Sequence, residues 1–337
     1  MLVDSNFDSG NIRVLSIEEN NIDLEIEPDP YPKHTKFKSN YWFYFKVSGI
    51  RGKRITYNIK NIRNYENCWR GFNVGISYNN KDWKRHSTRL VGNRLTWALK
   101  TSKNVVWFAY YVPYPFSRTE KLFKGSEIIG YTLKRNPIYM KTYGSGDKYI
   151  WLIARQHPGE TIGSWILEGF MKNMKKLGKK YTIKIIGNAN PDGTIMGHWR
   201  LNAEGVNLNA DWNKLKSREI RTIKKVLNRE EQGWDLLFDL HGDEGSMKHF
   251  VVKDERSGWI EDQVFKIFKD TKYFQNKNSS KEYLKVPSGA LGDDLGFVWV
   301  YPVCIEGAMK HKLGAFKTLQ DQALKVGEIL ANGMLQF

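Results

Sequence analysis

From Asn11 to about Tyr114, apolar and polar positions alternate in short runs: IRVLSI, IDLEIEP, YWFYFKVSG, RITYNIKNI, VGISYNN, LTWALK and VVWFAYYV. A period of two, rich in Val, Ile, Tyr, Phe and Trp and broken by Gly, Asn and Asp, marks strands with one face on a core. Strands this close together, with no helical stretch between them, predict an antiparallel β-sandwich over residues 1–118.

Beyond YVPYPFSRTEKLF, near Pro115–Lys121, the period changes. KYIWLIAR is apolar almost throughout and the tight HPGET loop follows it. In IGSWILEGFMKNMKKL, Ile162, Trp165, Ile166, Gly169 and Phe170 then fall on one helical stripe. TIKIIGNANP, WDLLFDLHGDE, HFVVKD and FVWVYPVCIE read as further strands, REIRTIKKVLNREEQ and GAFKTLQDQALKVGEILANGML as helices. Such alternation predicts an α/β layer fold over residues 119–337, with functional loops at the carboxyl ends of the strands.

Two of those ends carry metal-capable groups. His157 and Glu160 lie in the loop after KYIWLIAR, and His241 ends the run DLLFDL. An isolated H-x-x-E is common by chance; a second histidine at a neighbouring strand end is what gives it weight. Two histidines and one glutamate form a ligand set for catalytic zinc, which keeps a fourth position for water and makes that water nucleophilic near neutral pH. Asp239 either orients one of the histidines or caps a turn. Hydrolysis at such a site also needs a carboxylate to carry a proton, and Glu306, ending FVWVYPVCI at the same edge, is the candidate; an ordinary strand-end glutamate is the competing reading. The Asn-, Asp- and Gly-rich stretch NPDGTIMGHWRLNAEGVNLNADW predicts a structured loop that supplies Arg200 and Asn209.

Composition narrows the setting. Apolar residues make up 41% of the 337, enough to fill a core in each half and to exclude wholesale disorder. No apolar run approaches the roughly 18–20 residues of a membrane span, and the N-terminus lacks a signal-peptide pattern. Cys68 and Cys304 form no C-x-x-C spacing. A soluble protein of the reducing cytoplasm is therefore expected. Lys plus Arg outnumber Asp plus Glu by 53 to 36, a net charge of +17 that favours an anionic partner, although the lysines are spread from Lys33 to Lys325 as a composition bias would spread them. Neither a zinc finger, an RNP-type aromatic motif nor a clustered basic helix is visible, so no nucleic-acid partner is expected.

In their order along the chain, ARQHPGET, NPDG, GVNLN and DLHGDE resemble the cytosolic-carboxypeptidase branch of the M14 metallocarboxypeptidases, and FDSGNI, YWFYFKV and YVPYPFS resemble the N-terminal domain of that branch. The resemblance implies a zinc-carboxypeptidase-like mixed sheet flanked by helices. It also implies one Zn2+ held by His157, Glu160 and His241, with Glu306 as general base. Arg200 then polarises the scissile carbonyl, and Asn209 helps to hold the substrate's terminal carboxylate. Many members trim glutamate from acidic protein tails, which suits a charge of +17.

The sequence departs from the pattern at Leu208-Asn209-Ala210, where the branch has Leu-Asn-Arg. A bidentate arginine fixes a carboxylate by charge and by shape, so its replacement weakens recognition of a free C-terminus. An amidohydrolase, a γ-glutamyl endopeptidase and a catalytically silent binder of acidic polymers therefore stay open beside the carboxypeptidase. Tyr283 and Tyr301 are the candidates for the family's tyrosine near the scissile bond.

Overall fold

The computed structural model describes residues 1–35, 38–62, 66–229, 235–245, 250–252, 263–264, 266–268, 271, 302–309 and 319–336. The N-terminal run builds ten strands: β1 (Leu2–Asp4), β2 (Arg13–Ile17), β3 (Asn21–Glu25), β4 (Tyr44–Ser48), β5 (Arg54–Ile59), β6 (Asn73–Ser77), β7 (Lys84–Ser87), β8 (Arg89–Val91), β9 (Arg94–Lys100) and β10 (Val105–Ala109), with a single turn of helix, α1 (Glu66–Trp69), before β6. They form two five-stranded sheets, ordered β1-β4-β10-β6-β7 and β2-β3-β5-β9-β8. The inward residues of one meet those of the other: Tyr57 and Trp97 pack on Phe108 with ring centroids 4.7 and 5.3 Å apart.

One pairing in this otherwise antiparallel sandwich is parallel, β3 with β5. Parallel neighbours need a long crossover, and β4 in the opposite sheet supplies it. Asn58 staples the pair, donating from its amide to Asn21 and Asp23, each at 2.9 Å.

After α2 (Phe116–Leu122) the chain forms β11 (Glu127–Tyr131), β12 (Pro137–Tyr143), β13 (Lys148–Ala154), α3 (Thr161–Met171), α4 (Met174–Leu177), β14 (Tyr181–Ile186), α5 (Pro191–Ile195), α6 (Arg218–Arg229), β15 (Leu236–Asp243), β16 (Phe250–Val252), β17 (Pro302–Ala308) and α7 (Leu319–Gly333). Among the described residues these strands make a seven-stranded mixed sheet, β11-β12-β14-β13-β15-β17-β16, parallel from β14 to β17 and antiparallel at both margins. The β11–β12 hairpin has no counterpart in the sequence reading. Its outer strand leaves Ile128 and Tyr131 45% and 54% exposed, so it lacks the alternation that betrays a half-buried strand.

Central strands buried on both faces read as continuous apolar runs, and β13 is one. Ile150, Leu152 and Ala154 face the core under α3 and α7, while Trp151 and Ile153 face Ile220, Ile223 and Leu227 of α6. The two helices on the first face nearly touch: a Cβ on Gly327 would lie 1.9 Å from the Ile166 carbonyl oxygen, so only glycine fits there. None of the helices among the described residues is long and apolar enough to cross a membrane.

Candidate metal centre

β13, β15 and β17 are parallel and in register, with Ala154 paired to Leu240 and His241 to Glu306, so their carboxyl ends open on one edge. The chain leaves β13 through Arg155, whose left-handed backbone (φ 64°) turns it sharply, and runs through His157-Pro158-Gly159 into α3. Gly159 allows that turn to lie against Trp199, since a Cβ would meet the indole at 2.3 Å.

The loop and the end of β15 deliver three donors to one point. His157 Nδ1 lies 2.7 Å from Glu160 Oε1, and His241 Nδ1 lies 2.8 Å from Glu160 Oε2. A ligand atom from each of the three residues falls within 4.8 Å of the others, and the residues are only 2%, 4% and 3% exposed, in chain order. The group could hold a metal ion.

Behind each ring stands an acceptor. His157 Nε2 is 3.0 Å from Asn207 Oδ1, which also accepts from the Asn209 N–H and is thereby fixed as the amide oxygen. His241 Nε2 is 3.1 Å from Asp239 Oδ2. An Nε2–H held in this way turns Nδ1 of each ring towards the shared carboxylate, the nitrogen that a metal would take. Asp239 is itself anchored: Gln156 donates to both its oxygens at 2.9 and 2.8 Å, and the Trp212 indole N–H donates to Gln156 Oε1 at 2.8 Å.

The two histidines are shifted in opposite directions. Burial and the charge of Arg200 lower His157 to about 4. Burial also opposes the charged form of His241, but Asp239 and Glu160 outweigh it and raise that ring well above its ordinary value. Burial alone would raise the Glu160 carboxyl; the two facing rings instead hold it below the usual carboxylate range.

Residues 3–111 match the cytosolic carboxypeptidase N-terminal domain and residues 118–233 match the zinc carboxypeptidase domain. The chain belongs to the M14 zinc carboxypeptidase family. An uncharacterized protein of Zymomonas mobilis is 32% identical over 269 residues, covering 74% of this chain and 70% of its own length. Mouse cytosolic carboxypeptidase 3 is 26% identical over 299 residues; the match covers 72% of this chain and only 29% of the mouse protein. A metallo-carboxypeptidase from Burkholderia cenocepacia is 26% identical and superposes with a TM-score of 0.88 over 99% of this chain and 98% of that one.

Within this M14 carboxypeptidase, Arg200 lines a 540 Å³ cleft together with Tyr31, Ser39, Asn207 and Glu244. Asn209 and Ala210 sit in a single 3-10 turn, Leu208–Ala210, directly after Asn207. Asp239, left open between two roles by the sequence, backs His241. Glu306 stands level with His241 on the next strand; its side chain lies outside the described residues, as do Tyr283 and Tyr301.

Asn207, Gln156, Trp212 and Glu244 were not singled out by sequence reasoning. Asn207 had one available signal: in GVNLN the first asparagine can bond its own backbone two residues on, a turn that presents its amide oxygen outward. Glu244 lies in the cleft, where burial pushes its carboxyl up to about 7.

Proposed function

We propose that this protein is a zinc carboxypeptidase that removes C-terminal residues, by preference acidic ones, from peptides or protein tails. The observation that carries the reading is the convergence of His157, Glu160 and His241 donor atoms within 4.8 Å at the carboxyl ends of the parallel strands of a mixed sheet, in a member of a zinc carboxypeptidase family. In this reading residues 1–118 are the accessory β domain and 119–337 the catalytic domain. Family names and the sparse cysteines support a cytoplasmic setting.

The donor set fits Zn2+, one ion per chain: two imidazole nitrogens and a carboxylate, with acceptors behind both rings. A bound zinc would act as a Lewis acid and lower the pKa of water. Glu306 would take the proton from the attacking water and deliver it to the leaving amine nitrogen. Arg200, in the cleft beside Asn207, would stabilise negative charge on the carbonyl oxygen as the tetrahedral species forms. Asn209 would hold the substrate's terminal carboxylate. The charge of +17 supports an acidic substrate through steering.

A second reading rests on Ala210. Without a bidentate arginine there, an endopeptidase or amidohydrolase that ignores the free C-terminus stays open. Mass spectrometry of zinc-loaded protein incubated with peptides ending in oligoglutamate, with free and with amidated ends, tests both. Stepwise loss of glutamate from free ends alone is expected. Cleavage of both peptides would favour the second reading, and cleavage of neither would defeat the acidic-tail assignment.

A further inference from the structure

The loop that carries Arg200 is held from outside its own half of the chain. Asp29, in the Glu27-Pro28-Asp29-Pro30 stretch after β3, is 5% exposed and points its carboxylate into that loop. Its Oδ1 accepts from the Trp199 N–H at 2.7 Å, and its Oδ2 accepts from the Arg200 and Leu201 N–H groups at 2.6 and 2.8 Å. Three successive N–H groups around one carboxylate form an anion nest, here with the anion supplied by the β region. Prolines on both sides of Asp29 limit its backbone, so the carboxylate is aimed before the loop meets it.

Neighbouring contacts fasten the same loop. Asn11 donates to the Gly197 carbonyl at 2.7 Å and to the Glu27 carbonyl at 3.1 Å, tying both segments together. The Ser9 N–H donates to the Ile195 carbonyl at 3.0 Å. Trp199 is wedged between Tyr41 and Tyr110, with ring centroids 5.2 and 5.4 Å away. Burial raises the Asp29 carboxyl pKa, while His198 and the three N–H donors oppose the rise.

We infer that Asp29 is a positioning residue: through the 199–201 backbone it fixes Arg200 at the wall of the cleft, so the β region is a working part of the active site. The inference rests on the role proposed above for Arg200. Asparagine at position 29 is nearly isosteric, yet it replaces one acceptor by a donor and leaves at least one of the three N–H groups without its partner.

The test is a double-mutant cycle of Asp29→Asn and Arg200→Ala on zinc-loaded full-length protein, with amide hydrogen exchange at residues 199–201 as a readout independent of turnover. Alone, Asp29→Asn should lower kcat roughly 10- to 100-fold, as small misplacements of a reacting group do, with KM nearly unchanged and zinc content retained. In the Arg200→Ala background it should add almost nothing, and exchange at 199–201 should quicken. Losses that multiply, or an unchanged kcat, would overturn the inference. An Arg200→Ala variant with full kcat would instead remove the role given to Arg200, and exchange at 199–201 would still decide whether Asp29 clamps the loop. Should Asp29→Asn fold poorly, Asn11→Ala, which releases the same loop at Gly197, should give a smaller loss of the same kind; an unchanged kcat there counts against the inference.

Discussion

Between its two N-terminal sheets the chain packs Phe43, Phe45, Tyr57, Trp97 and Phe108 against one another, whereas at the carboxyl edge of β13 and β15 it buries Gln156, His157, Glu160, Asp239 and His241 side by side. Both regions are nearly closed to solvent, but different terms hold them. Aromatic packing is non-directional and scales with the area removed from water, so its cost of disruption is a cavity. A buried polar cluster is held by mutual satisfaction, so removing one member leaves its partner stranded in a low dielectric.

The difference should appear most clearly when each region loses one group. Glu306→Gln is expected to keep metal, measured by elemental analysis, while hydrolysis falls roughly 10²–10⁴-fold; normal turnover would rule out Glu306 as the base. Phe108→Ala, in the sandwich, should cost about 3–5 kcal/mol of stability by denaturant titration while kcat of the folded protein stays put. A Phe108→Ala variant that unfolds normally but loses kcat would mean that the sandwich core tunes the site directly.

An intermediate effect is expected from the charge behind His241. Asp239→Asn removes that charge and disturbs the Gln156 and Trp212 contacts, and should weaken metal affinity roughly 10- to 100-fold, read by competition with a chelating dye. His157 already has the neutral Asn207 in the equivalent place, so the two rings form an internal control. Unchanged affinity in Asp239→Asn would mean that the acceptor's charge does not matter at either ring.

The sequence carries these two regions unequally. Seven of the ten sandwich strands were legible as alternating runs; β1, β7 and β8, short and without a buried residue, were not. The convergence of His157, Glu160 and His241 was legible because they lie at or just after the ends of two apolar runs that pair in parallel. The parallel pairing of β3 with β5 was not legible, since alternation says which face is buried and nothing about which neighbour a strand takes. Asn207 lies 50 residues from His157 and Asp29 lies 171 from Arg200, so neither belongs to a local pattern. Resemblance gives Asn209 of GVNLN a place at the substrate's carboxylate, and says nothing of Asn207, which touches a histidine. Periodicity finds burial; partners across the fold are set by geometry that periodicity does not encode.

The smallest effect concerns a buried carboxyl that the proposed chemistry leaves unused. Glu219, in the first turn of α6, is fully buried; its Oε2 accepts from the Asn202 amide at 3.1 Å, and its Oε1 has no hydrogen-bond partner among the described residues. Burial pushes its pKa from 4.5 up to about 7. An acid whose folded pKa is raised keeps its proton when folded and releases it when unfolded, so its cost to stability is absent below pH 4.5, grows as the pH climbs towards about 7, and is then complete. Glu219→Gln mimics the protonated form at every pH. It should therefore nearly match the parent at pH 4.5 and be more stable by about 3 kcal/mol at pH 8, judged by urea midpoints. A gap of the same size at both pH values would point to a packing effect of the amide, and would mean that a carboxylate can be buried here at little cost, unlike those at the metal centre, which need a cation or a donor on every side.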